Sequence, residues 1–177
     1  KNVENLVIAA FKNSRIVGEL NEIESICHLI ISNNLKSAVI NIPSPFENSS
    51  YIALYISNSK SKNSVKIVNG TPYINCNVSL DTKVLSSTEN SNYLTKDNIS
   101  KIEDFASSYI KAHIDEYLYK TSKEYKSDIS GFGKYAVNNF KDWNSWNDYN
   151  WLDKYQNSFF STSVKINLKA SYLIMGT

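Results

Sequence analysis

Arginine is nearly missing from this chain of 177 residues, since Arg15 is the single arginine among its 19 basic residues. The planar guanidinium group is the side chain that recognises phosphate and carboxylate through paired hydrogen bonds. The 17 acidic residues leave a net charge of +2, whereas binding to nucleic acid needs many basic side chains gathered on one face. The composition therefore argues against a nucleic-acid partner.

Glycine and cysteine are also scarce, with 5 and 2 residues respectively. No P-loop, G-x-G-x-x-G or G-x-S-x-G pattern occurs, so nucleotide binding and a serine nucleophile have no motif behind them. Cys27 and Cys76 are too few to form a disulfide framework in a chain of this size. We expect both to be buried, unpaired thiols.

Long hydrophobic runs are missing as well. The longest, residues 6–11 and 26–31, fall far short of the ~18 apolar residues that can cross a bilayer. The chain shows no signal peptide either. Any export signal or membrane anchor is therefore expected upstream of Lys1.

The residues that are present have the composition of a folded domain. Apolar residues make up 42% of the chain and charged residues 20%, which is typical of a soluble fold with a substantial core. The length also favours one domain over several. We expect a single domain over residues 1–177.

The first predicted elements are a hairpin and a short helix. Residues 5–20 alternate around a two-residue turn at Asn13-Ser14, which would place Ala9 opposite Gly18. A helix should follow, because Asn21 can serve as its N-cap and apolar residues then recur at helical spacing.

A second hairpin is predicted around Asn69-Gly70, the strongest turn signal in the sequence. This turn would pair Val65 with Ile74. The buried positions are even-numbered before Ser57 and odd-numbered after Ser64. We therefore expect a β-bulge or a strand break between these two serines.

The second half of the chain contains the longest predicted element, an amphipathic helix from about Asp97 to Lys123. Glu116 and Lys120 would form an ion pair one turn apart on its exposed side. The C-terminal segment alternates strictly, with residues 164, 166, 168, 170, 172 and 174 facing inward. The predicted fold is α+β: a mostly antiparallel sheet of about 4–6 strands, with the long helix and shorter helices packed on one face.

The two histidines, His28 and His113, both lie on apolar helical faces, where a histidine is usually a packed residue and not a catalyst. Cys27 and His28 point about 100° apart on a helix, so they cannot easily hold one ion together. No pair of cysteines or histidines has metal-ligand spacing. We predict no catalytic residue, no metal site and no cofactor.

Paired carboxylates are the one possible source of catalysis that the residues suggest. Asp128 with Asp142, Asp148 or Asp153 stands among tryptophans, and a glycosidase needs two carboxylates beside aromatic platforms. We favour a structural interpretation, in which the aromatic residues pin an irregular segment to the sheet while Asp and Asn cap turns. A carbohydrate-active hydrolase remains the alternative function, together with a small-ligand-binding domain.

A short motif follows the long helix and gives the sequence its most specific signal. It has the form D-x-x-G-F-G, in which Asp128 could cap or close a turn, the glycines allow positive φ or close approach, and Phe132 would fill the core. Two tryptophans come later in the chain. The predicted structural motif consists of Asp128, Gly131, Phe132, Gly133, Trp143 and Trp151.

In order and spacing, this motif, the opening hairpin with its Val17-Gly18 pair and the final alternating strand resemble a known family. The similarity is to the C-terminal domain of the spore germination receptor C-subunit lipoproteins, the GerAC-like family. It covers the chain from about Leu6 to Gly176.

The resemblance implies a non-enzymatic subunit of a nutrient germinant receptor, working with integral-membrane A- and B-type subunits. In that family the domain is the last of three in an exported lipoprotein, which an upstream lipid holds on the outer face of the spore inner membrane. We accordingly expect this chain to be the soluble C-terminal domain of a larger lipoprotein. No ligand-binding residue is implied.

Overall fold

Two sheets form the β part of the computed structural model, which describes residues 8–12, 14–87 and 95–169. The strands, in chain order, are β1 (Ile8–Lys12), β2 (Arg15–Leu20), β3 (Ala38–Pro43), β4 (Tyr51–Val68), β5 (Thr71–Ser87) and β6 (Phe159–Leu168). Strands β1 and β2 make a separate two-stranded sheet, and the larger sheet has the order β3-β4-β5-β6.

The helices lie between and after these strands. They are α1 (Glu22–Ile31), α2 (Lys96–Tyr119), α3 (Gly133–Ala136), α4 (Trp143–Tyr149) and α5 (Trp151–Tyr155). Helix α2 continues into a π-helical turn, Lys120–Glu124, and α3 continues into a 3₁₀ turn, Val137–Asn139. The predicted α+β class is confirmed.

The first hairpin differs from its prediction by one residue. Lys12 pairs with Arg15, as a two-residue turn requires, but the register shifts between Ala10 and Phe11. Ala10 and not Ala9 therefore lies opposite Gly18. Alternation alone could not locate this shift, because the extra residue, Val17, follows the apolar Ile16 and the change of face is not visible in the pattern.

Helix α1 begins with the predicted capping box. The Asn21 side chain accepts a hydrogen bond from the Glu24 backbone N–H, and the Glu24 carboxylate accepts one from the Asn21 backbone N–H, both at 2.9 Å. Two of the N–H groups that every helix leaves unpaired at its start are satisfied in this way. The helix packs Ile26, Ile30 and Ile31 into the core.

The long β4–β5 hairpin forms as predicted. Asn69 and Gly70 both have positive φ, 50° and 77°, as the tight turn requires, and Val65 pairs with Ile74. The register shifts between Ile56 and Asn58, where the buried face changes from even to odd positions. The expected bulge therefore lies at Ser57.

Strand β6 runs parallel to β5, unlike the three antiparallel strands beside it. The mostly antiparallel sheet is as predicted, and the one parallel strand was not foreseen from strands with one wet face. The chain reaches β6 through α2 and the short helices, and such a crossover can deliver a parallel strand. Ile166 is buried in the core, whereas the expected inward positions 170, 172 and 174 lie outside the described residues.

Helix α2 covers the sheet with the predicted apolar stripe. Its buried side chains include Ile102, Ala106, Ile110 and Ile114. The predicted ion pair between Glu116 and Lys120 was wrong, because Lys120 instead binds Glu24 of α1 at 2.8 Å. A tertiary contact with a half-buried carboxylate has replaced the local pair.

Candidate functional site

Asp128 is the centre of the segment that the sequence singled out. Its Oδ1 atom accepts a hydrogen bond from the Phe132 backbone N–H at 2.8 Å, and Oδ2 accepts one from Gly133 N–H at 2.7 Å. The same Oδ2 accepts the indole N–H of Trp151 at 2.8 Å. The carboxylate therefore closes the Asp128–Gly133 loop, which leads into α3. It also ties this loop to α5 through Trp151.

The electrostatics of Asp128 follow from this position. Burial raises the pKa of its carboxyl group above the ordinary value, although the N–H donors of Phe132, Gly133 and Trp151 act in the opposite direction. Both oxygens are engaged by the loop and by Trp151. The carboxylate is therefore occupied in holding the backbone and is poorly placed to serve as an acid or a nucleophile.

The other residues of the loop satisfy requirements of backbone conformation and packing. Gly131 has φ of 73°, a left-handed conformation that favours glycine. Gly133 lies against Trp151, because a Cβ built on it would stand 3.1 Å from two indole atoms. Phe132 is fully buried and its ring lies 6.3 Å from those of Tyr155 and Phe160.

The two predicted tryptophans lie in unlike surroundings. Trp151 is only 8% exposed and stacks on Trp146 with ring centroids 6.1 Å apart. Trp143, at the start of α4, is 67% exposed. The structure thus brings Trp151 together with Asp128, Phe132 and Gly133, and leaves Trp143 apart from them.

The aromatic segment, residues 140–160, is fixed to the long hairpin. Phe140, Trp146 and Tyr149 form a ring cluster, with Phe140 and Tyr149 centroids 4.9 Å apart. The Tyr149 hydroxyl donates to the Gly70 carbonyl at the hairpin tip. Aromatic side chains therefore hold α4 against the sheet, as the structural interpretation expected.

The acidic residues proposed as partners of Asp128 are engaged locally. Asp142 caps α4, accepting from the Ser145 backbone N–H at 2.9 Å, and this hydrogen bonding lowers the pKa of its exposed carboxyl group. Asp153 accepts from the Asn150 side chain, and Asp148 lies exposed on α4. These contacts resemble helix caps and surface charges more than a catalytic pair.

A buried hydrogen-bond chain that the sequence did not reveal lies beside the loop. His28 Nδ1 is 2.9 Å from the Tyr117 hydroxyl, which is 2.6 Å from Ser130 Oγ. Burial raises the pKa of Tyr117 and lowers that of His28. The chain connects α1, α2 and the loop, and only the position of Tyr117 on the inner stripe of α2 hinted at it.

The remaining candidates for metal or redox chemistry are dispersed. His113 contacts Glu116 one turn further along α2 at 3.2 Å. Cys27 and Cys76 are free and buried, and burial raises the pKa of each thiol to about 12. Within the described residues, no group of three His, Cys, Asp or Glu side chains could hold a metal ion.

The loop is also bound to the first hairpin. Ser127 donates to the Phe11 carbonyl at 2.8 Å, and the Tyr125 hydroxyl donates to the Glu19 carbonyl at 2.6 Å. These contacts seat β1 and β2 on the segment that follows α2. The Lys120–Glu24 pair ties the same segment to α1. We call residues 120–133 the junction, because this segment joins the first hairpin, helices α1 and α2, and the aromatic segment.

Among the helices within residues 8–12, 14–87 and 95–169, none is both long and apolar enough to cross a bilayer.

Comparison with known proteins agrees with the fold. A family model described as spore germination B3/GerAC like, C-terminal, matches residues 8–172. The crystal structure of the GerBC protein is similar at a TM-score of 0.74 and 18% identity, covering 87% of this chain and 47% of that one. The chain therefore spans about half the length of that protein. No curated protein matches the sequence.

Proposed function

This chain belongs to the spore germination B3/GerAC-like family as its C-terminal domain, and from this premise we propose that it serves a nutrient germinant receptor as an interaction module. The match over residues 8–172 is the observation that carries the proposal, because it includes nearly every described element. The module would contact the integral-membrane A- and B-type subunits of the receptor.

The geometry of the junction supports an interaction role over a catalytic one. Its buried carboxylate, its tyrosine and its serines make hydrogen bonds that hold elements together: Asp128 accepts from Trp151, and Tyr125 donates to the Glu19 carbonyl. A rigid scaffold of this kind presents surfaces at fixed positions, which is what a receptor subunit needs in order to transmit contact with a neighbour.

The wider setting is part of the same proposal. We propose that residues 1–177 are a single domain, the C-terminal part of a larger lipoprotein that an upstream lipid anchors to the outer face of the spore inner membrane. The GerBC structure, of which this chain covers 47%, supports the existence of further domains in relatives.

Deletion of the domain tests the proposal. Spores that carry an in-frame deletion of this segment in the full-length gene should lose the response to nutrients of the cognate receptor. Responses through other receptors should continue, and the full-length gene should restore the lost one. Immunoblots of the A- and B-type subunits would show whether these proteins are still present. A normal response of the deleted spores to the cognate nutrient would refute the proposal.

A further inference from the structure

A cleft of about 500 Å³ opens between the last part of α2 and the first part of β6. Helix α2 lies close to the end of β6, where Ser107 and Glu103 receive hydrogen bonds from the strand. Nearer the start of the strand the two elements leave this space between them. The residues that line the cleft include Tyr119, Lys123, Ser158, Phe159, Phe160 and Thr162.

Among the described residues, α2 covers the outer edge of β6 along the second half of the strand. Lys169 N–H donates inward to the Thr82 carbonyl of β5, so by strand alternation the odd-numbered N–H groups face β5 and the even-numbered groups face away. Ile166 N–H donates to Ser107 Oγ at 3.2 Å and Leu168 N–H to Glu103 Oε1 at 2.7 Å.

The first half of the same edge has no such cover. By the same alternation the N–H groups of Phe160, Thr162 and Val164 point away from β5. The described part of the chain supplies no acceptor to them. Unpaired strand edges of this kind are templates for a further strand.

Two buried hydroxyl groups at the cleft also lack partners. Ser158 is only 6% exposed, yet its Oγ has no hydrogen-bond partner among the described residues, and neither has Thr162 Oγ1. Buried polar groups are nearly always paired, so each unpaired one in a native structure needs an explanation. A bound polar chain would supply the missing partners.

The rim of the cleft combines exposed aromatic rings with the ammonium group of Lys123. Tyr119 and Phe159 are each 59% exposed, and aromatic residues of this kind are enriched at protein interfaces. The Lys111 ammonium group is paired with Asp115, whereas Lys123 donates to the Gln156 carbonyl and has no ion-pair partner among the described residues. This positive charge favours an acidic group on the occupant.

We propose that this cleft binds an extended peptide segment of a partner protein, which adds a strand to the open edge of β6. Main-chain carbonyls of the segment would accept from Phe160, Thr162 and Val164, whose N–H groups recur at every second residue as the acceptors of an extended chain do. An apolar side chain would lie against Tyr119 and Phe159, and an acidic one near Lys123. The proposal does not depend on the partner being a receptor subunit.

Short random peptides displayed on phage and selected on the 177-residue chain provide the probe. Hydrogen exchange, followed by NMR, should show that selected peptides slow exchange at the amides of Phe160, Thr162 and Val164. The selected sequences should be enriched in an acidic residue beside an apolar one. Peptides that instead protect amides on another face would refute the proposal.

Two matched variants at one position separate strand addition from side-chain binding. Thr162→Pro removes an outward N–H, which proline can do at the edge of a sheet without breaking a ladder bond, and should weaken peptide binding by about tenfold or more. Thr162→Val keeps the N–H and should bind more tightly than Thr162→Pro. Equal binding by the two variants would overturn the proposed main-chain pairing.

A further variant covers the case in which Thr162→Pro does not fold. Lys123→Glu leaves the N–H groups of the strand edge in place and should weaken the binding of the selected acidic peptides, with the loss reduced at high salt. Unchanged binding would count against the proposed orientation. Protection of the same amides in the chain alone, growing with protein concentration, would show that a second copy occupies the edge and would refute a peptide partner.

Discussion

Trp151 donates its indole N–H to Oδ2 of Asp128 at 2.8 Å, across 23 residues of chain. The bond fixes the aromatic segment to the loop that begins α3. Because the acceptor is a largely buried carboxylate, loss of the donor leaves a charged oxygen with one fewer partner, and this is costly in a protein interior.

Trp151→Phe should therefore lower the free energy of unfolding by about 1–3 kcal/mol. The substitution removes the donor and keeps an aromatic ring in the stack with Trp146. Urea denaturation of the two proteins measures the difference. Trp143→Phe is the matched control, because Trp143 is 67% exposed, and it should change stability by no more than about 0.5 kcal/mol. Equal losses from the two substitutions would show that the indole bond contributes nothing.

Gly18 should not tolerate a side chain while Tyr125 is in place. A Cβ on Gly18 would stand 2.3 Å from the Tyr125 ring, whose hydroxyl donates to the Glu19 carbonyl. Gly18→Ala must displace the ring and break that bond, at about 1–3 kcal/mol. In a Tyr125→Ala background the same substitution should cost much less, which thermal denaturation of the four proteins would show.

Gly70→Ala is the control for these four proteins. Gly70 has φ of 77°, and no atom of the described residues lies within 4 Å of the position that a Cβ would take. Its cost is backbone strain of about 1–2 kcal/mol, and the Tyr125→Ala background should leave this cost unchanged. If Gly18→Ala is equally costly in both backgrounds, contact with Tyr125 is not the reason for the glycine.

Stability should fall as the pH drops below neutrality, in part because of His28. Burial lowers the pKa of His28 below its ordinary value of 6.5, so the unfolded chain binds this proton more readily than the folded one. The contribution of neutral His28 to the free energy of unfolding is complete above pH 6.5. It is lost as the pH falls through 6.5 toward the lower pKa of the folded state.

His28→Gln should flatten that part of the profile, measured as the urea midpoint between pH 7 and the acid range. The glutamine can still reach the Tyr117 hydroxyl, which accepts or donates at His28 in the wild type. His113→Gln controls for the loss of a histidine as such. A profile of the His28 variant as steep as that of the wild type would contradict the assignment.

Both thiols should resist modification while the chain is folded. A pKa of about 12 for Cys27 and Cys76 leaves a thiolate fraction of ~10⁻⁴ at pH 8, and only the thiolate reacts. Ellman's reagent should find no fast thiol in the native chain and two in denaturant. Ser64→Cys, at an exposed strand position, should add one fast thiol. A native thiol reacting at the rate of this variant would contradict the burial of Cys27 or Cys76.

The parts of the fold that sequence predicted are those that neighbouring residues determine. Asn69-Gly70 forces its turn through positive φ at both positions, and Asn21 finds its partner Glu24 within one helical turn. The bulge at Ser57 was predictable because burial on both sides of it can be read from alternating apolar residues. Local backbone chemistry and burial are sufficient for such features.

The parts that sequence missed depend on distant contacts. Glu116 and Glu24 are both possible partners of Lys120. Only the packing of α1 against α2 places Glu24 at 2.8 Å from the Lys120 ammonium group. The alternating apolar residues of β6 do not reveal the direction of the strand, because a strand buries the same side chains whichever way it runs. Trp143 and Trp151 likewise have similar neighbours in sequence, and their opposite exposure follows from the folding of α4 and α5.

Ser57 is a place where strand β4 can change length without turning its faces over. Because β4 buries even positions up to Ile56 and odd positions from Ser61, a residue inserted elsewhere in the strand would carry one set of apolar side chains into water. A residue gained or lost at the bulge is absorbed there. Relatives of this chain should therefore show insertions and deletions in β4 at this position, or in compensating pairs on β4 and β5.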